Sequence, residues 1–271
     1  MMERPIIVNS NCYHKYGVED SLKAIRNLGF HSVELTATKG WTEHIFPSMS
    51  FSELLSIRNL ISSLGLSVPS ISGHCSLMDK ERLHDFEENI ALAAFFGASI
   101  IVSSIGEAHL KGGKEEGDDV LIGNLESIIP SLEKYDMALS LETHGEHGTA
   151  SRIKEITDRI GSHRIGICYD TANAIFYGNV QGTEDLEKAV ESVNYLHIKD
   201  KSGKRDEWDF PALGCGYVDF PSLLGVLDAN GNASALSIEI EFTSAGSSSI
   251  DEVNEALRIS RDYLEGLGYK I

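Results

Sequence analysis

The sequence predicts a closed (β/α)8 barrel, one α/β domain spanning residues 1–271. Strand-like and helix-like stretches alternate from end to end, these units number eight, and no Pro/Ser linker or low-complexity break divides them. A doubly wound sheet would alternate too. However, no GxGxxG follows the first strand, and eight units suit closure better.

The strand candidates begin with "IIVNSNC" (Ile6 to Cys12), "SVELTA" (Ser32 to Ala37), "VPSISGH" (Val68 to His74) and "SIIVSS" (Ser99 to Ser104). They continue with "ALSLETH" (Ala138 to His144), "IGICYD" (Ile165 to Asp170), "YLHIKD" (Tyr195 to Asp200) and "LSIEIEF" (Leu236 to Phe242). Between them lie amphipathic stretches such as "VEDSLKAIRNLG", "FSELLSIRNLISSLG" and "LHDFEENIALAAFFG", closing on a Gly that suits a helix C-terminus. "LGCGYVDF" (Leu213 to Phe220) reads as the loop leading into the seventh helix, and it lacks the lysine of a phosphate-binding loop.

Composition narrows the function classes. The formal net charge of −18 would repel a nucleic-acid backbone. The densest basic cluster, "KDKSGKR" (Lys199 to Arg205), suits at most a small anion. No nucleic-acid partner is therefore expected. No apolar run approaches the length of a membrane span, and the N-terminus lacks a basic leader, so a cytoplasmic location without membrane association is expected. Cys12, Cys75, Cys168 and Cys215 are scattered with no CxxC pair, which fits reduced thiols rather than a disulfide framework. A homo-oligomer is compatible with these features and not required by them.

The phase of the polar residues carries more. Side chains alternate faces along a strand, so Leu139 and Leu141 share one face while Ser140, Glu142 and His144 share the other. The same phase turns Gly166, Cys168 and Asp170 inward, then His197 and Lys199, then Ser237, Glu239 and Glu241. Glu34 and His74 fit it as well. Carboxylates converging in a barrel mouth repel one another and lose hydration, so protons, a lysine or a divalent cation must neutralise them. Glu142, Asp170, His197 and Glu239, from four successive strands, supply three hard oxygens and one imidazole, a set suited to Mn²⁺, Mg²⁺, Co²⁺ or Zn²⁺. A single inward Glu or His is ordinarily a hydrogen-bonded core residue; four in one phase on adjacent strands ask for more than that.

In these residues the chain resembles the xylose isomerase-like TIM barrels, a superfamily of sugar isomerases and epimerases that includes D-tagatose 3-epimerase and the endonuclease IV type of AP endonuclease. The resemblance covers essentially the whole chain and rests on the ordered set "VELT", "SGHC", "LETHG", "GICYDTAN", "HIKD", "LGCGYVDF" and "SIEIE". It implies a metal site of Glu142, Asp170, His197 and Glu239, with Mn²⁺ foremost. Glu241 is the alternative to Glu239. Many relatives carry an acidic residue in the Gly-x-Gly of the seventh loop, where this chain has Cys215. The endonuclease branch is disfavoured: its extra histidine is replaced by Asn173, and "DEWDFPALG" contains no histidine.

The resemblance further implies a small-molecule sugar substrate, a ketose or keto-polyol with or without phosphate, and proton abstraction through an enediolate by Glu142 and Glu239. Candidate substrate contacts are Glu34, Trp41 (an apolar wall for a sugar face), His74, His144, Asn173, Lys199 and Arg205. His74 could instead be a ligand. His147, after Gly145, is expected in a loop. Arg205, with Lys201 and Lys204, would clamp an anion or form a solvated basic loop, in which Lys201→Ala would be mild. The rivals are a metal-dependent dehydratase of an inosose or dehydroshikimate type and a non-catalytic barrel that binds a sugar or a protein.

Overall fold

The computed structural model describes residues 2–110 and 116–271. Eight parallel strands close into a barrel: β1 (Ile6–Asn9), β2 (Ser32–Thr36), β3 (Ser67–Ser72), β4 (Ile100–Ser103), β5 (Ala138–Glu142), β6 (Ile165–Asp170), β7 (Val193–Ile198) and β8 (Leu236–Ile238). They pair in chain order, and β8 returns to β1 with Ile6 opposite Leu236 and Val8 opposite Ile238. Closure leaves the barrel without an edge strand.

The helices form the outer layer: α1 (Val18–Asn27), α2 (Phe51–Leu64), α3 (Leu83–Phe96), α4 (Asp118–Lys134), α5 (Ala150–Ile160), α6 (Thr171–Phe176), α7 (Glu184–Ala189), α8 (Phe220–Ala229) and α9 (Ile250–Gly266). Helix α2 shows how local chemistry sets the ends. Ser50 Oγ accepts from the Glu53 N–H while Glu53 Oε2 accepts from the Ser50 N–H, and Gly65 closes the helix at a left-handed φ of 65°. Among the described residues, no helix is long and apolar enough to cross a membrane. The four cysteines stand as free thiols, with Cys215 alone exposed.

The strand phase is as expected. Leu139, Leu141, Ile165, Ile167, Leu196, Ile198, Leu236 and Ile238 belong to the main apolar core, together with helix residues such as Leu125, Ile153, Leu223 and Leu257. Each such side chain contributes about 1.5–3 kcal/mol by leaving water. A second, small apolar cluster of Ile7, Val102, Cys168 and Tyr195 lies apart from it, on strand positions of the opposite phase. Polar side chains therefore fill much of the barrel interior.

Several strands stop earlier than their apolar runs. After Asn9 the chain turns into a short 3-10 helix, Ser10–Tyr13, because the Asn9 side chain accepts from the Asn11 N–H. Beyond Ile238 the chain leaves the barrel, and Phe242–Thr243 pairs instead with Asp209–Phe210 in a small antiparallel ribbon. That ribbon ties the loops after β7 and β8 together.

Candidate active site

The strand register sets the site. Asp170 at the end of β6 lies opposite His197 of β7, Glu142 ends β5 opposite Cys168, and Glu239 follows β8, its N–H donating to Ile198 O at 3.1 Å. One ligand atom from each of Glu142, Asp170, His197 and Glu239 lies within 4.8 Å of all the others. All four residues are buried. His197 Nδ1 is 2.6 Å from Glu142 Oε1 and 3.4 Å from Glu239 Oε2. Asp170 Oδ1 accepts from the N–H groups of Ala172 (2.9 Å) and Asn173 (2.8 Å), capping α6, while its Oδ2 is buried without a hydrogen-bond partner.

Leaving a carboxylate oxygen buried without a hydrogen bond is costly; its ion-pair contact is the Lys199 ammonium at 3.8 Å, and it belongs to the same cluster as two further carboxylates and an imidazole nitrogen. This donor set fits a divalent cation of the Mg²⁺, Mn²⁺, Co²⁺ or Zn²⁺ type. Cys168, with Glu142 and His197, forms an overlapping set of close donor atoms. A sulfur is a softer donor than such a cation favours, so the carboxylate set is the better match.

A lysine and an amide complete the floor. Lys199 Nζ lies 2.5 Å from Glu241 Oε2, 3.5 Å from Glu239 Oε2 and 3.8 Å from Asp170 Oδ2, above the Phe210 ring. Asn11 Nδ2 donates to Glu239 Oε1 (2.8 Å) and Glu241 Oε1 (3.1 Å). Glu239 and Glu241 share Lys199 and Asn11, but it is Glu239 whose oxygen converges with the other three groups. Burial raises the carboxyl pKa of Asp170 and of Glu142. At Glu239 burial is outweighed by Lys199, His197 and the Asn11 amide, which bring it down to about 2. At His197 burial is likewise outweighed, by Cys168, Glu34 and Glu239, and the imidazole is held well above its ordinary value. Four carboxylates around one ammonium and one imidazole leave an excess of negative charge that a divalent cation would cancel.

Beneath the cluster runs a polar layer that corrects one expectation. Glu34 does not line the cavity. It is fully buried, with Oε1 3.1 Å from His197 Nε2 and Oε2 accepting from Tyr195 (2.9 Å) and Ser237 (2.6 Å). The inward phase of β2 is right, but Glu34 pairs with Asn9, one level deeper than the mouth, so its carboxylate meets His197 from below rather than a substrate. It orients the imidazole so that Nδ1 faces the carboxylates.

The rim holds most of the other expected contacts. Asn173, His74, His144, Lys199 and Trp41 all border the inner cavity, as do Asn11, His109, Trp208 and Glu241. His74 Nδ1 accepts from the Ser104 N–H and stands 3.8 Å from Glu142 Oε2. His144 packs on Tyr177 at 4.5 Å, and His147 is buried in the tight turn that follows, its N–H donating to His144 O. Trp41 does not offer a free face for a sugar. It is sandwiched between the imidazoles of His14 (4.0 Å) and His109 (4.9 Å), with Nε1 donating to Asn11 Oδ1.

The basic loop also departs from expectation. Arg205 is exposed, donates to Phe176 O at 2.8 Å and lines a different cavity of about 540 Å³ that shares no residue with the carboxylate site. Lys201 is no solvated side chain: it is fully buried, and its ammonium donates to the carbonyls of Ser202 and Lys204. The glycine-rich loop wraps an internal anion. Asp200 accepts from the N–H groups of Gly214, Gly216 and Val218, and a Cβ at Gly216 would come within 2.3 Å of Asp200 Oδ1.

Asn11, His109, Tyr177 and Trp208 were not singled out in the sequence. Asn11 carried a signal, a polar side chain near the mouth end of the first strand. The other three sit outside the strands, where no periodicity marks them.

A closed (β/α)8 barrel whose strand ends gather three carboxylates and an imidazole defines a barrel protein with a candidate divalent-cation site. The chain belongs to the xylose isomerase-like TIM barrel family, whose model matches residues 22–264. Similar solved structures include L-ribulose 3-epimerase, 20% identical with a TM-score of 0.76, covering 98% of this chain and 94% of that one. A xylose isomerase domain protein from Planctomyces limnophilus is 21% identical, with a TM-score of 0.78 and 98% of each chain covered. A xylose isomerase-like TIM barrel protein from Mycobacterium smegmatis, in complex with magnesium, is 20% identical with a TM-score of 0.74, covering 96% of this chain and 99% of that one. At these identities the likeness establishes a shared fold. No curated protein matches the sequence.

Proposed function

We propose that this protein is a divalent-metal-dependent isomerase or epimerase of a ketose or related keto-polyol. The observation that carries this reading is the convergence of Glu142, Asp170, His197 and Glu239, with Oδ2 of Asp170 buried and free of hydrogen bonds, on the floor of a cavity bordered by hydrogen-bonding side chains. An epimerase and a magnesium complex among the structures of the same fold support it.

A divalent cation held by these four residues would polarise a substrate carbonyl and stabilise the charge that develops on its oxygen. Glu142 and Glu239 take the proton-transfer roles. They stand on β5 and just beyond β8, on different sides of the mouth, so one carboxylate can remove the proton beside the carbonyl and the other return one from the opposite side. Return across the same carbon inverts it; return to the neighbouring carbon moves the carbonyl. Lys199, His74, His144 and Asn173 orient the substrate oxygens. Glu34 keeps His197 in place and touches no substrate.

The test is solvent-deuterium incorporation into candidate ketoses, followed by NMR with Mn²⁺ or Mg²⁺ supplied. Glu142→Gln and Glu239→Gln should each abolish exchange while leaving the protein folded. Full exchange in either variant would remove the proposed pair, and an absorbing enone product in place of exchange would turn the reading to a dehydratase.

A further inference from the structure

Lys199 and Glu241 each follow a proposed cation ligand by two residues, His197 and Glu239, and the proton-transfer scheme makes no use of Glu241. Its side chain borders the inner cavity and is only 9% exposed. A further carboxylate kept from water beside three others adds repulsion and a desolvation cost, so it requires a partner of its own.

That partner is the Lys199 ammonium. Nζ stands 2.5 Å from Glu241 Oε2, but 3.5 Å from Glu239 Oε2 and 3.8 Å from Asp170 Oδ2. Charge-assisted N–H···O contacts close to about 2.7–2.9 Å, a range that the second and third pairs exceed. The stem gives the ammonium little freedom. Lys199 N–H donates to Thr171 Oγ1 at 2.9 Å, the same hydroxyl donates to Lys199 O at 2.7 Å, and Nζ lies 4.6 Å from the centre of the Phe210 ring. The side chain is 3% exposed, so the carboxylates around it compete for its charge.

Two features favour Glu241. Asn11 Oδ1 accepts from Trp41 Nε1 (3.0 Å) and Thr42 Oγ1 (2.7 Å), which turns Nδ2 toward the carboxylates, where it donates to Oε1 of both Glu239 and Glu241. Each carboxylate is thereby held through one oxygen and presents the other. The ribbon supplies the second feature. Phe242, directly after Glu241, pairs with Phe210, so one antiparallel contact places both the carboxylate and the aromatic face that meet the ammonium. Phe242 holds a left-handed φ of 61°, a conformation that a bulky residue keeps only where its surroundings impose it.

We infer that Glu241 is a positioning residue that draws the Lys199 ammonium off Glu239 and Asp170, leaving those oxygens to a divalent cation and the ammonium to the substrate, a role that rests on the cation site proposed above. An ammonium in close contact with a ligand carboxylate opposes a cation at the same oxygens, the more so away from water. Glu241→Gln keeps the shape, removes the charge and releases Lys199 toward Glu239 and Asp170.

Calorimetric titration of chelator-stripped protein with Mn²⁺ tests this in the wild type, Glu241→Gln, Lys199→Met and the double variant, with circular dichroism checking that each is folded. Lys199→Gln is run beside Lys199→Met, because an amide can hydrogen-bond carboxylates that an apolar side chain would leave bare. Loss of the ammonium should tighten Mn²⁺ binding by about threefold or more. Glu241→Gln should weaken it by about tenfold or more while Lys199 is present, and by a factor about fivefold smaller or less once Lys199 is replaced. Equal effects in the two backgrounds would overturn the inference, because a purely structural part, or the bare charge of Glu241, acts with or without the lysine. An unchanged affinity in Glu241→Gln would overturn it too. A wild type that binds no Mn²⁺ would remove the cation site and this role together, whereas wild-type binding with equal effects removes the role and leaves the site.

Discussion

Glu34 supports His197 from inside the barrel, Oε1 standing 3.1 Å from Nε2 of an imidazole whose Nδ1 lies 2.6 Å from Glu142. The contact fixes which nitrogen faces the carboxylates. Glu34→Gln keeps the shape and the hydrogen-bond acceptor for Tyr195 and Ser237 but removes the charge. Divalent-cation affinity, measured by calorimetry, should fall about 10–100-fold. An unchanged affinity would show that the ring needs no anionic support.

Asp170 has a divided role, with Oδ1 capping α6 and Oδ2 left for the cluster. Asp170→Asn can retain the cap through its amide oxygen. The variant should fold but lose its cation, as metal content after dialysis would report. Chelated wild-type protein should gain about 2.7 kcal/mol at a cation concentration a hundred times the Kd, and the variant should gain nothing comparable.

Lys201 is buried and satisfies two carbonyls of its own loop. Lys201→Ala leaves the Ser202 and Lys204 carbonyls without that donor. Urea denaturation should show a loss of about 1–3 kcal/mol, in contrast to the mild effect expected of a solvated loop. A change within error would place the side chain in solvent after all.

Burial lowers the His109 imidazole to about 4, against an opposing pull from Glu239, and burial lowers His144 to about 3. In the unfolded chain both would titrate near pH 6.5. Above that pH both states are neutral and stability is constant; as the pH falls from about 6.5 toward 4, the unfolded chain binds protons that the folded one refuses, and stability declines. Thermal denaturation across this range should show the slope, and NMR titration should place the His109 inflection far below 6.5. An inflection near 6.5 would mean that the ring is solvated.

The alternation of Leu139, Leu141, Ile165 and Ile167 with Glu142, Cys168 and Asp170 was enough to place helices on one face of the sheet and ionisable groups on the other, because a strand has only two faces. For the same reason the candidate ligands on β5 to β8 could be named without coordinates. Depth and neighbours could not. Glu34 shares the inward phase yet lies one level too deep to meet a substrate, Trp41 has both faces covered, and Arg205 lines another cavity.

What the amino-acid order determined by itself was the repeat, the inward phase and the chemical types gathered at the strand ends. Only the closed barrel decided which of Glu239 and Glu241 joins the cluster, that Lys201 is buried, and that Tyr177, Trp208 and Phe242 meet in one wall. Periodicity is a local property of backbone geometry. The level of a side chain along the barrel axis and the company it keeps depend on strand stagger and loop path, which are settled by contacts between residues far apart in the chain.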